Sequence, residues 1–555
     1  MRGLPQARFV AGTAALGLAL AACGGDGGGG TPNAGGTPGG GAGGGTYSIQ
    51  ISEPQDLVPT NTAETSGSEV LDALFTPLVT YKPDTNEPML TQLAESIDSP
   101  DAKNWTIRIK PGWKFHNGED VTAQSFVDAW NYGALATNGQ QNSYFFQQLG
   151  VKGFSDVSPE DPNPEDDKVP TPKAKTMSGL KVVSPTEFRV TLDQPNNVFK
   201  SALGYTAFYP LPKAALKDMK AFEEAPIGNG PFKMKGKWEH NRKISVERFE
   251  DYQGTKPKAA GIDFKIYQSI ETAYNDLRAG NLDVMDSLPP SALAGAKAEL
   301  GPRYQEFPSS YYGFLGIPVF DERFKNVKVR QAVSMAIDRD AIGKTIFAGT
   351  RVPADAFVGP VVEGYRKGAC GEICTFNPER AKQLLQEGGG LSDMTITYNA
   401  DGGHKEWTEA ACNQIKQNLG VKCQAVSKPA FDVLLDDLSK AQKDKKGFGP
   451  FRLGWIMDYP SMQNYLGPLY GTGGGSNYYG YSNKKFDNLV ADGLKEQDPA
   501  KAIQLWQQAE DILVQDLPAI PLFFGQTQSA HSEKVSNVRI DAFDRIDKVA
   551  VEVKQ

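Results

Sequence analysis

The sequence is poor in the side chains and motifs on which most enzymes depend. Its 555 residues include only four histidines, which lie in separate segments at His116, His240, His404 and His531. It contains no GxSxG nucleophile elbow, no HExxH metal motif, no P-loop and no SxxK motif followed by its partner motifs. We therefore predict a protein that is not an enzyme and that needs neither a metal ion nor a cofactor. Hydrolysis by scattered carboxylates, as in glycosidases, is the catalytic alternative that these absences leave open.

The sequence also lacks a basic block and, beyond its first residues, a long apolar run. The net charge is −8 and the pI is about 5.4, so a phosphate backbone finds little to hold and we expect no nucleic-acid partner. No later segment reaches the roughly 18 apolar residues of a transmembrane helix. Because 555 residues exceed what one hydrophobic core supports, we predict two or three lobes.

What is present begins with an export signal. Residues 1–22 carry Arg2 and Arg8, then an apolar run and small residues, which is the pattern of a signal peptide. Residues 20–23, LAAC, resemble the lipobox of bacterial lipoproteins, in which Cys23 is lipidated after cleavage. The glycine-rich composition of residues 23–45 predicts a flexible tether. We expect a mature chain held by its lipid on the outer face of the cytoplasmic membrane, in the cell envelope.

Four further cysteines, Cys370, Cys374, Cys412 and Cys423, are predicted to form disulfides, because an exported protein with an even set of cysteines favours them. Proximity favours pairing Cys370 with Cys374 and Cys412 with Cys423, although three connectivities are possible. A zinc site is the alternative, but it would require closer CxxC pairs.

Short strand-like runs alternate with helical stretches, which predicts mixed α/β lobes. Thr122 is placed to cap a helix whose inner face carries Phe126, Ala129 and Trp130. Residues 329–347 have the periodicity of one amphipathic helix with Val333, Ala336 and Ile337 inside. MTITYNAD, a helix and GVKCQAVS predict a βαβ-like unit, and the last helix leads into an apolar strand that we expect to stop at Gly525. RLGWIMDYP, residues 452–460, is strand-like but for one acid, Asp458.

Seven stretches together resemble the extracellular solute-binding protein family 5 of bacterial ABC importers, which includes the oligopeptide- and dipeptide-binding lipoproteins. They occur in the family's order and cover nearly all of the mature chain: LVPTNTAETSGSEVLDALFTPLVTYKP, WTIRIKPGWKFHNGEDVTAQSFVDAW, GNGPFKM, NDLRAGNLDVM, FKNVKVRQAVSMAIDRDAI, GWIMDYPSMQNYL and YYGYSNKKFDNLV.

The resemblance implies an α/β fold of the periplasmic-binding-protein (Venus flytrap) kind, with two lobes around a cleft and an additional third domain. We place a discontinuous lobe I at residues 46–66, 206–310 and 517–555, the extra domain II at 67–205 and lobe III at 311–516. Residues 309–320 would then contain one hinge crossing.

The resemblance also implies the ligand contacts. The aspartate of the GWxxDY pattern, here Asp458, would receive the α-amino group of a peptide; its alternative role is an internal pair or a cap for the following loop. The backbones of Gly454 and Ile456 would pair with the peptide, and Trp455 would line a side-chain pocket or belong to the core. Arg452 would meet a ligand carboxylate or form a surface ion pair. Glu64 would line the cleft from the facing lobe.

We therefore expect a monomeric, lipid-anchored receptor that captures short peptides with a free amino terminus and delivers them to the permease subunits of an ABC importer. The membrane is then a partner through the lipid alone. One alternative is the same fold binding a non-peptide solute such as a sugar, a metal complex or haem. Others are a secreted carboxylate-based hydrolase and a surface signalling or adhesion protein.

Overall fold

The computed structural model describes residues 44–554 apart from 83–84, 161–168, 401–402 and 430. The predicted signal peptide, the predicted lipidation site Cys23 and almost all of the predicted tether lie outside the described residues. In the described part of the chain, no helix is long and apolar enough to cross a membrane.

Strands and helices alternate along the described chain, as the sequence predicts. The strands are β1 (Thr46–Ile51), β2 (Val79–Tyr81), β3 (Pro88–Leu90), β4 (Ala94–Asp98), β5 (Asn104–Ile109), β6 (Leu180–Ser184), β7 (Glu187–Thr191), β8 (Phe232–Met234), β9 (Lys243–Arg248), β10 (Gly261–Ile266), β11 (Val284–Met285), β12 (Tyr304–Gly316), β13 (Arg351–Pro353), β14 (Asp393–Asn399), β15 (Lys422–Lys428), β16 (Phe451–Trp455), β17 (Ala519–His531), β18 (Val535–Ser536) and β19 (Glu552–Val553). The helices are α1 (Thr65–Leu74), α2 (Ala123–Ala134), α3 (Tyr144–Gln148), α4 (Phe154–Val157), α5 (Phe199–Ala202), α6 (Lys213–Lys217), α7 (Met219–Glu224), α8 (Ile270–Arg278), α9 (Pro290–Leu300), α10 (Val327–Met335), α11 (Arg339–Thr345), α12 (Pro378–Glu387), α13 (Lys405–Leu419), α14 (Phe431–Asp444), α15 (Met462–Tyr470), α16 (Lys484–Lys495) and α17 (Pro499–Asp516).

The central feature is a mixed sheet of 11 described strands, in the order β15-β14-β16-β12-β17-β11-β1-β10-β9-β8, with β13 paired to β17. Strands β12 and β17 pair antiparallel through its middle, and their register shifts between Pro308 and Tyr312. On one side of this shift β17 also pairs with β11, and on the other side β12 also pairs with β16. The two long strands therefore join the two halves of the sheet.

A separate four-stranded antiparallel sheet, in the order β4-β5-β7-β6, falls inside residues 67–205, the segment predicted as the extra domain. Helix α2 packs on it and begins at Thr122, which forms a capping box with Ser125. Phe126, Ala129 and Trp130 are fully buried, as predicted. The domain boundaries themselves remain a prediction.

The predicted βαβ-like unit is formed by β14, α13 and β15, because β14 and β15 are parallel and α13 packs on both. A disulfide joins Cys412 of α13 to Cys423 of β15, with their Cα atoms 5.0 Å apart. A second disulfide joins Cys370 to Cys374, with a Cα separation of 5.7 Å. These are the pairings that proximity in the sequence favours.

The single helix predicted over residues 329–347 is wrong: the structure has two helices, α10 and α11. Asp338 separates them, since its side chain accepts the backbone N–H of Ala341 at 2.9 Å and caps α11. Periodicity alone concealed this break, because the predicted inward-facing residues Val333, Ala336 and Ile337 all precede Asp338 and are buried as predicted.

The predicted end of the last long strand at Gly525 is also wrong. Strand β17 runs on to His531, because β12 pairs with it on both sides of Gly525. A glycine inside a strand commonly marks a close approach of another group rather than an end. Here the group is an aromatic side chain of the neighbouring strand, as described below.

Candidate ligand-binding cleft

A cavity of about 690 Å³ lies where β16, β12 and the start of α1 meet. All six residues predicted as ligand contacts line it: Glu64, Arg452, Gly454, Trp455, Ile456 and Asp458. Glu64 immediately precedes α1, and the other five come from β16 and the segment after it. The fold thus gathers predicted contacts from distant parts of the chain into one cavity.

Asp458 lies three residues beyond the end of β16 and is partly buried in the cavity wall. Burial raises the pKa of its carboxyl to about 6, and a hydrogen bond from Asn464 opposes that rise. No lysine, arginine or histidine among the described residues forms an ion pair with it. An unpaired carboxylate in such a place is costly unless a ligand supplies the cation.

Asn464 holds the wall around Asp458 in place. It is fully buried on α15, whose first turn is capped by Ser461. Its Oδ1 accepts the backbone N–H of Asp458 at 2.8 Å and the indole Nε1–H of Trp455 at 3.1 Å. Ser461, and not Asp458, therefore caps α15. The sequence analysis missed Asn464, although its place after the GWxxDY pattern could have suggested it.

One edge of β16 is open beside the cavity. Strand β12 pairs with β16 along its whole length, whereas β14 pairs with it at Phe451 alone among the described residues. Gly454 therefore has a strand partner on one side, and Ile456, just beyond the strand, is 39% exposed. An extended chain could add to such an edge by main-chain hydrogen bonds.

Glycines on three strands make room for the side chain of Tyr311. A Cβ atom would lie 2.9 Å from the Tyr311 hydroxyl if added at Gly313 of β12, and 2.8 Å from its ring if added at Gly454 of β16. A Cβ atom at Gly525 of β17 would lie 2.8 Å from the Cβ of Tyr311. Side-chain carbons do not approach so closely, so the tyrosine requires these glycines. This is a second reason for Gly454, which the sequence did not show.

Arg452 lines the cavity from within β16. Its Nη1 donates to Asn399 Oδ1 at 3.1 Å, and its guanidinium lies 5.3 Å from the centre of the Phe431 ring. Its Nε is buried and has no acceptor among the described residues. The guanidinium is thus partly committed to the protein and partly available.

Glu64 faces the cavity but is occupied by its own helix. Its two carboxylate oxygens accept the backbone N–H groups of Ser66 and Gly67, at 2.7 and 2.8 Å, and so cap α1. Burial raises the pKa of this carboxyl although these hydrogen bonds oppose the rise. The geometry gives Glu64 a structural role, and its predicted contact with a ligand stays a prediction.

Three further side chains face the cavity near Arg452: Tyr311, Arg351 and His404. Burial, with the positive charges of Arg452 and Arg351, lowers the pKa of His404 to about 3, so this imidazole is neutral. Burial would raise the pKa of Tyr311, but the same two guanidinium groups lower it. The cavity therefore combines an anionic wall at Asp458 with a cationic one at Arg351 and Arg452. Sequence reasoning did not place these three residues in the cavity lining, because they lie outside the GWxxDY pattern.

The family model for bacterial extracellular solute-binding proteins, family 5 Middle, matches residues 89–478. The chain belongs to this family. The match confirms the resemblance seen in the sequence. It also agrees with the prediction that the chain is not an enzyme, since the family consists of solute-binding proteins.

Several family members are similar over most of the chain. The oligopeptide-binding protein OppA of Bacillus subtilis is 27% identical over 540 residues, which is 94% of each protein. The dipeptide-binding protein DppE of the same species is 28% identical over 457 residues, or 79% of each. The glutathione-binding protein GsiB of Escherichia coli O1:K1 is 26% identical and covers 80% of this chain and 82% of that protein.

Solved structures show the same fold. OppA of Haemophilus influenzae in complex with RPPGFSPFR has a TM-score of 0.74 at 23% identity and covers 92% of this chain and 99% of that one. The murein tripeptide binding protein MppA of Escherichia coli has a TM-score of 0.75 at 20% identity, covering 92% and 98%. The predicted fold class, mixed α/β with two lobes of the binding-protein kind, is thereby confirmed. Among the described residues, no group of three or more His, Cys, Asp or Glu is placed to hold a metal ion.

Proposed function

We propose that this solute-binding protein is a lipid-anchored receptor that captures peptides in the cleft and delivers them to an ABC importer. Relatives named for oligopeptide, dipeptide and glutathione binding support a peptide ligand. The observation that carries the proposal is Asp458, a partly buried carboxylate that faces the cavity and has no ion pair with any described residue.

Asp458 is the proposed partner of the peptide's α-amino group. An ammonium group would neutralise the carboxylate and regain the stabilisation that burial removes. The main chain of the peptide would continue along the open edge of β16 at Gly454 and Ile456. Such pairing uses groups that every peptide has, so it gives affinity without selecting a sequence.

The side chains of the peptide would occupy the rest of the cavity, with Trp455 as one wall. A volume of about 690 Å³ holds several side chains together with water, which allows varied residues to bind. Arg452 is the proposed partner of a ligand carboxylate. Closure of the two lobes would follow from contacts that a ligand makes with both of them, without covalent chemistry.

The decisive test is the identity of the bound solute. The protein purified from its host would be measured by native mass spectrometry, then denatured so that any released ligand can be weighed. A ladder of peptide masses supports the proposal. A single non-peptide compound contradicts it and would favour a sugar, a metal complex or haem.

The role of Asp458 has its own test. Calorimetric titration with tri- and tetra-alanine should show that Asp458→Ala weakens peptides with a free amino terminus far more than their N-acetyl forms. An equal effect on both forms would remove Asp458 from this role.

The proposed anchor depends on Cys23 and can be tested in cells. A Cys23→Ser variant should leave the membrane fraction and appear in the soluble envelope or medium, while the unchanged protein stays with the membrane. Delivery predicts that loss of the protein abolishes uptake of the peptides that it binds. Retention of the variant on the membrane, or undiminished uptake, would refute the corresponding step.

A further inference from the structure

Arg351 lies on the boundary between the main cavity and a smaller one of about 340 Å³. It begins β13, where it pairs with Gly525 of β17. Its guanidinium lies 4.3 Å from the centre of the Tyr311 ring and 5.9 Å from that of Phe347. The guanidinium therefore lies against two aromatic rings, and the side chain lines both cavities.

The donors of this guanidinium are not used by the protein. Within the described ranges, no carboxylate lies within ion-pair distance of Arg351 and no acceptor takes a hydrogen bond from its side chain. Asp544 lines the same smaller cavity, but its oxygens accept the hydroxyls of Ser309 and Thr527 instead. An arginine carries five N–H donors in a planar fork, and that fork matches a carboxylate.

The position of Arg351 is built into the sheet. A Cβ atom at Gly525 would meet Nη1 of Arg351, so the guanidinium would have to shift from its place beside Tyr311 if this glycine gained a side chain. Tyr311, on which the guanidinium stacks, in turn requires Gly313 and Gly454. Glycines on three adjacent strands thus support one tyrosine, and the tyrosine supports one arginine.

The comparison with Arg452 shows which guanidinium is the freer. Arg452 already donates to Asn399. The side chain of Arg351 has no hydrogen bond or ion pair among the described residues, although its charge opposes the rise that burial causes in the pKa of Asp544, so it can turn its whole fork to a ligand without breaking a protein hydrogen bond.

We infer that Arg351 is a specificity-determining residue that binds a carboxylate of the ligand at the boundary between the two cavities. This inference rests on the proposed peptide function, and it names a contact beyond those that the sequence suggested. The carboxylate has two possible sources in a peptide, its own carboxyl terminus or an Asp or Glu side chain. Both present the same planar pair of oxygens.

The test uses matched peptides and calorimetric titration. Tri-, tetra- and penta-alanine would each be measured as the free acid and as the carboxyl-terminal amide, together with tetrapeptide amides that carry Glu or Gln at one position. The variants are Arg351→Ala, Arg351→Lys and Gly525→Ala. Arg189→Ala, an exposed arginine of β7 outside the cavity lining, is the control for loss of one positive charge.

We expect Arg351→Ala to weaken carboxylate-bearing peptides roughly tenfold or more, as for hydrogen bonds to charged groups, and their uncharged partners less than about twofold. Arg351→Lys should retain part of the preference for carboxylate-bearing peptides over their uncharged partners, because the positive charge remains. The preference should not be complete, because the planar fork is lost. Gly525→Ala should reduce the preference for carboxylate-bearing peptides, because it displaces the guanidinium without removing it. Arg189→Ala should leave this preference unchanged.

If only the free-acid peptides lose affinity, Arg351 binds the carboxyl terminus of the peptide. If only the Glu peptides lose affinity, it binds a side-chain carboxylate. Both outcomes support the inference. Equal losses for acids and amides, in Arg351→Ala and in Gly525→Ala, would overturn it. If the unchanged protein binds no peptide of the set, the proposed function fails first, which separates that failure from a failure of the role of Arg351.

Discussion

Asn464 holds Asp458 by two hydrogen bonds, one to its backbone and one to its side chain. Its Oδ1 accepts the Asp458 N–H at 2.8 Å, and its Nδ2 donates to Asp458 Oδ2 at 3.0 Å. The carboxylate is thereby oriented, and its second oxygen remains for a ligand. The amide side chain of Asn464 thus fixes the position of the Asp458 carboxylate and leaves one of its oxygens available as an acceptor.

Replacing Asn464 by leucine, which has nearly the same shape, should weaken peptides with a free amino terminus without removing the carboxylate. The lost donor no longer opposes the burial effect, so the pKa of Asp458 should rise further above 6. Titrations with trialanine at pH 6 and pH 7.5 would show this as a larger loss at the lower pH. A pH-independent loss would point to a general disturbance of the wall instead.

Peptide binding should depend on pH through Asp458. Its carboxyl has a pKa of about 6 in the unliganded protein, and the charged form is the one that binds an ammonium group. Affinity should therefore fall as the pH drops below about 6, and it should fall again above roughly 8 as the peptide amine loses its proton. Nearby hydroxyls do not titrate in this range, because burial raises the pKa of Tyr81, Tyr144, Tyr205, Tyr459 and Tyr465 far above it.

The matched control for this pH dependence is Asp458→Asn. Asp286, which lines the neighbouring cavity, has a pKa that burial raises to about 7, so it titrates close to the same range. If the affinity of Asp458→Asn still falls as the pH drops below about 6, the titrating group is Asp286 or another group. If the affinity of this variant no longer changes near pH 6, the titrating group is Asp458.

The sequence contained enough to predict the family, the α/β class and a cluster of residues that line one cavity. The GWxxDY pattern is local, so Arg452, Gly454 and Asp458 could be named from one short stretch. Their arrangement follows simply from a strand and the turn after it. Features that lie within one continuous segment are those that a single sequence reveals.

The missed features depend on contacts between segments that are far apart in the chain. Tyr311, Arg351 and Gly525 belong to three strands, and only their pairing shows that the glycine makes room for the arginine. The break at Asp338 was missed for another reason. A cap in the middle of a periodic run changes the helix without changing which residues face inward.

Asp458→Asn should stabilise the unliganded protein. The folded pKa of about 6 lies above the ordinary value of 3.8, so the contribution of this acid to stability is fully present below about pH 4 and is lost as the pH rises through 6. An uncharged amide avoids that loss, and we expect an increase of up to about 3 kcal/mol in the free energy of unfolding at pH 8. Urea unfolding at pH 8 and pH 4 would show a gain at the higher pH alone. A gain of the same size at both would mean that charge is not the cause.

Gly454→Ala tests whether the missing side chain at this position serves the protein or the ligand. The new methyl group would lie 2.8 Å from the Tyr311 ring, so the ring must move, and such overpacking costs about 1–3 kcal/mol. Because Arg351 stacks on that ring, peptides bearing a carboxylate should lose more affinity than their amides. Gly475→Ala is the control, since a Cβ atom there meets no atom within 4 Å. Thermal unfolding and calorimetric titration of both variants separate the two roles. If Gly454→Ala leaves the stability unchanged and lowers the affinity for free-acid and amide peptides equally, the glycine serves the approach of the ligand backbone. It would then not be needed for the packing of Tyr311.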